Sequence, residues 1–287
     1  MPFTWTINSE TLTLSDPYRI KALSGIGGAP ASVQLQKAPY QDGKSYRDTI
    51  SEERYITIDL LVANNAYTYA DILNARRTLV RLFNPKAGVG VFAWEQTETS
   101  KTYNLKAYVE KGPEFIDDVN SRLVQRALVY LIAPDPYWYD PTAETIIMVA
   151  FEGGWSFHWS FPLGFGAVGK KVTVTNNGDV DTPVLITVTG YTDSPIITNV
   201  TTGQIIEVNR GIPAGHTLEI YTGFDAKRIE LMNTIGNKTN AFHYLATGTN
   251  HSLWQFKPGI NEITYTAADE DNSAQTTLEF YHRFSGI

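Results

Sequence analysis

Gly164-Phe-Gly-Ala-Val-Gly169 matches, letter for letter, the glycine pattern that cradles a dinucleotide pyrophosphate. That chemistry needs a helix N-terminus directly downstream, whose free amides and dipole hold the phosphate. Here the pattern runs into Lys170-Lys-Val-Thr-Val-Thr175, which alternates like a strand, so no nucleotide cofactor is expected. Histidines 158, 216, 243, 251 and 282 are scattered, and no cysteine exists to complete a thiolate set, so no metal site is expected. Asp269-Glu-Asp-Asn272 gathers acids but lacks the glycine and downstream glutamate of a calcium loop. No Gly-x-Ser-x-Gly elbow presents a nucleophile, and no spacing singles out an acid/base pair of carboxylates. These residue types and spacings point away from an enzyme.

Two segments are better suited to binding than to catalysis. Trp155, Phe157, Trp159 and Phe161 alternate with Ser156, His158 and Ser160, so four aromatics would project from one face of a strand. Burying such side chains stabilises by roughly 1.5–3 kcal/mol each, which favours a core or subunit contact over an exposed platform. Exposed, Trp155 and Trp159 would stack on sugar rings. The second segment, residues 24–53, is long for a connection and holds Gly25, Gly27, Gly28, Pro30 and Pro39 around Val33-Gln-Leu-Gln36 and the turn Tyr40-Gln-Asp-Gly43. It is either a disordered loop or an extended hairpin that finds its partner on another subunit. In the second case Val33, Leu35, Tyr40, Asp42, Gly43 and Tyr46 are the candidate contact residues.

The totals exclude several partners. The net charge is −7, and no apolar run approaches the roughly 20 residues of a membrane-spanning helix. The N-terminus has no basic region followed by an apolar core, so no secretion by a signal peptide is expected. Residues 1–139 carry 15 Lys and Arg against 15 Asp and Glu, whereas residues 140–287 carry 8 against 15. Neither half offers a basic surface for specific nucleic-acid binding, and the acidic half disfavours an anionic membrane.

The elements that must position these segments are mostly strands. Ala133-Pro-Asp-Pro-Tyr-Trp-Tyr-Asp-Pro141 stops helix and inner strand alike, which places a domain boundary between 1–139 and 140–287. In the first half Ile56, Ile58, Leu60 and Val62 alternate as one buried strand face. Thr68-Tyr-Ala-Asp71 then resembles a capping box, opening a helix over 69–83 whose charged residues include Arg76, Arg77 and Arg81. Without an aromatic-studded basic groove, that arginine trio reads as a solvated face or a subunit contact. The second half alternates short strands with turns, the spacing of an all-β sandwich, with strands expected at Leu253–Phe256 and Thr276–Phe284 among others. It opens with Lys171–Thr175 and Val184–Thr189 around Asn-Gly-Asp, read as a half-buried antiparallel hairpin.

Taken in order, these landmarks resemble the distal tail protein (Dit) family of long-tailed phages of Gram-positive bacteria. The resemblance is carried by Tyr40-Gln-Asp-Gly43, the strand 54–62, the helix 69–83, Ala133-Pro-Asp-Pro-Tyr-Trp138, Gly153-Gly154 with Phe161-Pro-Leu163, Asn176-Asn-Gly-Asp-Val-Asp-Thr-Pro183, the stretch 211–220 and Trp254-Gln-Phe-Lys-Pro-Gly-Ile-Asn261. It implies a mainly β protein: a tail-tube-like, ring-forming domain with one helix, then a galectin-like β-sandwich. It further implies a structural role at the virion tail tip, for a protein made in the bacterial host cytoplasm. Six copies would form a ring at the end of the tail tube, leaving a channel for DNA. Its partners would be itself, the tail tube protein, and a tail-associated fibre or baseplate protein. The alternative is a carbohydrate-binding module that recognises host cell-wall glycan through Trp155 and Trp159.

Overall fold

Alternation of apolar residues builds most elements of this computed structural model, which describes residues 3–63, 68–116, 124–149, 171–267 and 274–287. The chain divides into two units, Met1–Pro141 with Phe284–Ile287, and Thr142–Arg283. The end of the chain thus leaves the expected span 140–287 for the first unit. There Phe284 meets the Tyr103 ring edge-on at 5.2 Å and Ile287 packs on the first core.

In the first unit the strands are β1 (Phe3–Ile7), β2 (Glu10–Thr13), β3 (Tyr18–Ser24), β4 (Ala31–Gln36), β5 (Ser45–Ser51) and β6 (Arg54–Ala63). After helix α1 (Tyr69–Leu82) come β7 (Val89–Gln96), β8 (Lys101–Ile116), β9 (Val124–Ala133) and the short β10 (Trp138–Tyr139). One sheet runs in the order β2-β1-β7-β8-β9-β6-β3, while β4 and β5 pair only with each other. Ile56, Ile58, Leu60 and Val62 of β6 are all buried, as their period of two requires.

Helix α1 starts where the capping box places it. The Thr68 hydroxyl accepts from the Asp71 amide at 3.4 Å, and the Asp71 carboxylate accepts from the Thr68 amide at 2.8 Å. Ile72, Ala75, Leu79 and Leu82 form its buried face. The Trp5 indole donates to the Leu82 carbonyl at 2.9 Å, supplying a partner that the helix end leaves missing. Phe83 caps the helix rather than extending it, and Asn84-Pro85 turns the chain away.

The second unit holds β11 (Glu144–Val149), β12 (Lys171–Asn176), β13 (Val184–Thr189), β14 (Ile196–Asn199), β15 (Gln204–Glu207) and β16 (Thr217–Tyr221). It continues with β17 (Arg228–Met232), β18 (Lys238–Asn240), β19 (Gly259–Thr266) and β20 (Gln275–Phe280). Two sheets result, ordered β11-β20-β13-β16-β17-β18 and β12-β19-β14-β15. They share one core, in which Val174, Ile197 and Ile263 of one sheet join Ile186, Ile220 and Leu278 of the other. The protein is mainly β, with α1 the single α-helix among the described residues.

Three expectations are corrected here. β12 and β13 are not a hairpin, because β12 pairs with β19 while β13 pairs with β16 and β20 in the other sheet. The cause lies in Asn176, buried to 1% exposure, whose side chain accepts from the Gly178 amide at 2.9 Å and donates to the carbonyls of Val180 at 3.0 Å and Phe256 at 3.3 Å. Its Asx-type turn carries the chain across to the opposite layer instead of reversing it within one. Second, Leu253–Phe256 is not a strand: Trp254 and Phe256 are buried, but the backbone makes only an isolated bridge, Phe256 to Thr182. Third, the strand expected over 276–284 breaks after Phe280. There the Tyr281 carbonyl accepts from the Thr182 hydroxyl and the His282 ring accepts from the Asn177 amide at 3.2 Å.

Candidate functional site

Between β3 and β6 the chain leaves the sheet, forms the β4–β5 arm and returns. The root of the arm is built around one buried cation. Arg54 falls in phase with Ile56, Ile58, Leu60 and Val62, so the alternation that buries those residues also buries a guanidinium, at 1% exposure. It donates to the carbonyls of Pro136 at 2.7 Å, Gly25 at 2.7 Å, Gly27 at 2.6 Å and Ser285 at 2.6 Å. Burial pulls its pKa below the ordinary arginine value, yet the guanidinium stays charged and four of its five N–H donors meet carbonyls. One side chain therefore joins the glycine-rich root, the proline connector and the returning C-terminal segment.

Gly25 allows this close packing. Its φ of +87° favours glycine, and a Cβ there would lie 1.9 Å from the Tyr55 carbonyl oxygen. The Ile287 amide donates to the Ile26 carbonyl at 3.4 Å, and the hydroxyls of Ser51 and Tyr137 meet at 2.6 Å.

Beyond the root, the arm's strands pair with no other strand among the described residues. β4 and β5 pair from Ala31 opposite Ser51 to Gln36 opposite Ser45, with a register shift that leaves Arg47 as the extra residue of β5. Val33 and Leu35 lie across from Thr49 and Tyr46, on one face with exposures of 54%, 49% and 62% for Val33, Leu35 and Tyr46. Ile50, on the opposite face, is also exposed. Tyr40, Asp42 and Gly43 stand apart from that face, at the tip. Tyr40 takes φ +61° with its side chain fully exposed, Gly43 takes φ +78°, and Gln41 stitches the turn by accepting from the Ala38 amide at 2.9 Å. The six candidate residues thus form a face of three and a tip of three.

Arg54 and Ile50 were not among the candidates. Arg54 was legible as a charged residue in phase with four apolar ones; Ile50 offered only a β-branched residue among polar neighbours. Two of the three arginines of α1 are engaged elsewhere: Arg81 forks onto Glu10, one bond at 2.7 Å, and Arg76 lies 4.5 Å over the Phe115 ring. Trp155, Trp159, the glycine pattern 164–169 and the acidic stretch 269–272 lie outside the described residues. Among the described residues no group of three His, Cys, Asp or Glu side chains is placed to hold a metal ion. No helix among them is long and apolar enough to cross a membrane.

Comparison with known proteins adds three findings. Residues 177–284 match the family model for the siphovirus-type tail component, C-terminal domain. The whole chain is similar to the crystal structure of the SPP1 Dit protein, described as a paradigm of the hub adsorption apparatus in phages infecting Gram-positive bacteria. That likeness has a TM-score of 0.65 at 15% identity, covering 98% of this chain and 99% of the other. A chain of the phage P2 baseplate in its activated conformation with Ca is similar at a TM-score of 0.52 and 9% identity, covering 97% and 98%. No curated protein sequence matches.

Proposed function

We propose that this chain, whose residues 177–284 match the siphovirus-type tail component model and whose fold is similar to that of the SPP1 Dit protein, is a structural hub protein of a phage tail. In this reading six copies close into a ring at the distal end of the tail tube, through contacts of the first unit. The ring joins the tube to a fibre or baseplate protein and leaves a channel for DNA.

The observation that carries the reading is the β4–β5 arm, rooted by Arg54 yet presenting Val33, Leu35 and Tyr46 to solvent. A two-stranded ribbon is marginal alone in water, and unpaired strand edges recruit further strands. A neighbouring subunit that accepts the arm satisfies both. Electron micrographs of the purified protein test the ring directly: six-fold rings are expected, and isolated particles contradict them. Deleting residues 31–51 should abolish the ring while both cores stay folded, and an arm-deleted protein that still forms hexamers by light scattering would falsify the role of the arm.

The channel is expected to be free of a basic lining, since every phosphate contact holds passing DNA. A lumen ringed by Lys and Arg in the assembled structure contradicts this.

A further inference from the structure

The second unit runs from Thr142 to Arg283, so Glu144 stands near its start and His282 beside its end. One imidazole joins the two. Nδ1 of His282 accepts from the Asn177 amide at 3.2 Å, and Nε2 lies 3.1 Å from the Glu144 carboxylate. A backbone amide can only donate, so Nδ1 carries a lone pair and the ring proton sits on Nε2, donated to Glu144. Phe280 holds the ring from a third side, meeting it edge-on at 5.4 Å. The imidazole is sheltered, at 14% side-chain exposure against 42% for Glu144.

The turn that supplies Asn177 also grips the segment that leaves the unit. The Asp179 amide donates to the Arg283 carbonyl at 3.0 Å, and the Thr182 hydroxyl donates to the Tyr281 carbonyl at 2.5 Å. Arg283 returns a bond to the Asp181 carbonyl at 3.4 Å. Gly178 lies so close to Arg283 that a Cβ would stand 2.2 Å from its carbonyl oxygen. Any displacement of this turn is therefore passed to the last residue of the unit.

We propose that His282 is an acid-responsive latch on this exit: neutral, it holds the turn at Asn177; charged, it releases the turn and keeps Glu144. Imidazole is the side chain that takes up a proton between about pH 5 and 8. With Nε2 already occupied, the second proton of His282 must go to Nδ1, where it points an N–H at the N–H of Asn177. Rotating the ring restores nothing, since both nitrogens of an imidazolium donate. Glu144 draws the charged ring toward itself, so the exposed Asn177 side gives way. The other charged groups on the packed elements are placed otherwise. Asp181 pairs with Lys257 at 2.5 Å, Arg283 donates to the Asp181 carbonyl, Asp179 stands on the turn itself, and Glu279 lies on the face of β20 opposite Phe280. The latch does not depend on the ring reading, and either can fail alone.

Hydrogen exchange of the full-length protein, resolved to single amides by mass spectrometry, tests the latch between about pH 8 and 5.5, above the range where ordinary carboxylates titrate. Corrected for the intrinsic rate, protection of the Asn177 amide is expected to fall about fivefold over this span, the equivalent of one net hydrogen bond. The Thr182 amide, bonded to the Phe256 carbonyl at 2.9 Å, is expected to keep its protection, which separates a local release from acid unfolding. His282→Asn offers Asn177 an acceptor that cannot charge, so its profile is expected to be flat. Glu144→Gln removes the carboxylate that favours the charged ring, so its loss is expected at lower pH than in wild type. That variant carries the test alone if His282→Asn does not fold. Wild-type protection of Asn177 that stays constant with pH overturns the latch. So does a loss at the wild-type pH in either variant, or a loss that Thr182 shares.

Discussion

The β4–β5 arm and the β12–β13 connection differ in where their backbone bonds and apolar groups go. In the arm both strands bond to each other and their side chains face water. In the connection the two strands part into separate sheets, and the turn between them, in which Thr182 is the buried residue, is bonded into the fold. Asn176 is saturated with backbone partners, Thr182 bridges to Phe256, and a Cβ on Gly178 would lie 2.2 Å from the Arg283 carbonyl oxygen. One region is locally complete but globally unburied; the other is bonded to distant parts of the fold but locally unpaired. In the proposed reading, a ribbon that satisfies its own bonds while exposing Val33, Leu35 and Tyr46 finds its complement outside the subunit.

The root of the arm should be the most sensitive point in this contrast. Arg54→Ala strands four carbonyls around a buried gap, and removing such a buried charged donor costs about 3–5 kcal/mol. Denaturant unfolding should show this loss, and a change below about 1 kcal/mol would mean the clamp contributes little. Adding a methyl group separates the two regions next. Gly178→Ala forces backbone apart and should cost about 1–3 kcal/mol. Gly25→Ala adds a left-handed φ penalty to a closer clash, so it should cost more than Gly178→Ala in the same assay.

A pH effect should come from Asp59, whose carboxyl is held below its ordinary 3.8 chiefly by hydrogen bonds from Arg126, at 2.8 and 2.7 Å. A lowered folded pKa means the contribution is fully present above 3.8 and fades as pH falls below it toward the folded value. Asp59→Asn should therefore lose stability at neutral pH and show a flatter acid limb than wild type in denaturant midpoints measured against pH. An unchanged acid limb would show that this pair does not set it.

The smallest effect on folding, and the sharpest for the comparison, belongs to the arm. Leu35→Ser should shift unfolding of the monomer by no more than about 0.5 kcal/mol, as expected for an exposed position. Sedimentation of the same variant should nonetheless show weakened self-association.

How much of this was legible in the sequence follows the same division. The β6 face and the capping box of α1 are local patterns, and the residues that spell them, Ile56 to Val62 and Thr68 with Asp71, behave as spelled. Val33, Leu35 and Tyr46 likewise come together on one face, since alternation alone sets that. Partner choice was not legible. Lys171–Thr175 and Val184–Thr189 alternate as hairpin strands do, but period two says which face is buried and not which strand lies alongside. The Asn176 side chain decided that, through bonds reaching Phe256 eighty positions away. Trp254 and Phe256 were read as strand from their apolar pattern, although their backbone finds only a bridge. Arg54 was visible but unused, because a charge in an apolar phase declares its purpose only when distant carbonyls converge on it.

The central claim is that the arm holds copies of this chain together. Light scattering coupled to size exclusion, run on the intact protein and on a version lacking 31–51, tests it most directly. The account predicts a particle near six times the 32.0 kDa chain mass for the intact protein and a single chain mass for the shortened one. Equal masses for the two, whether both large or both small, would contradict it.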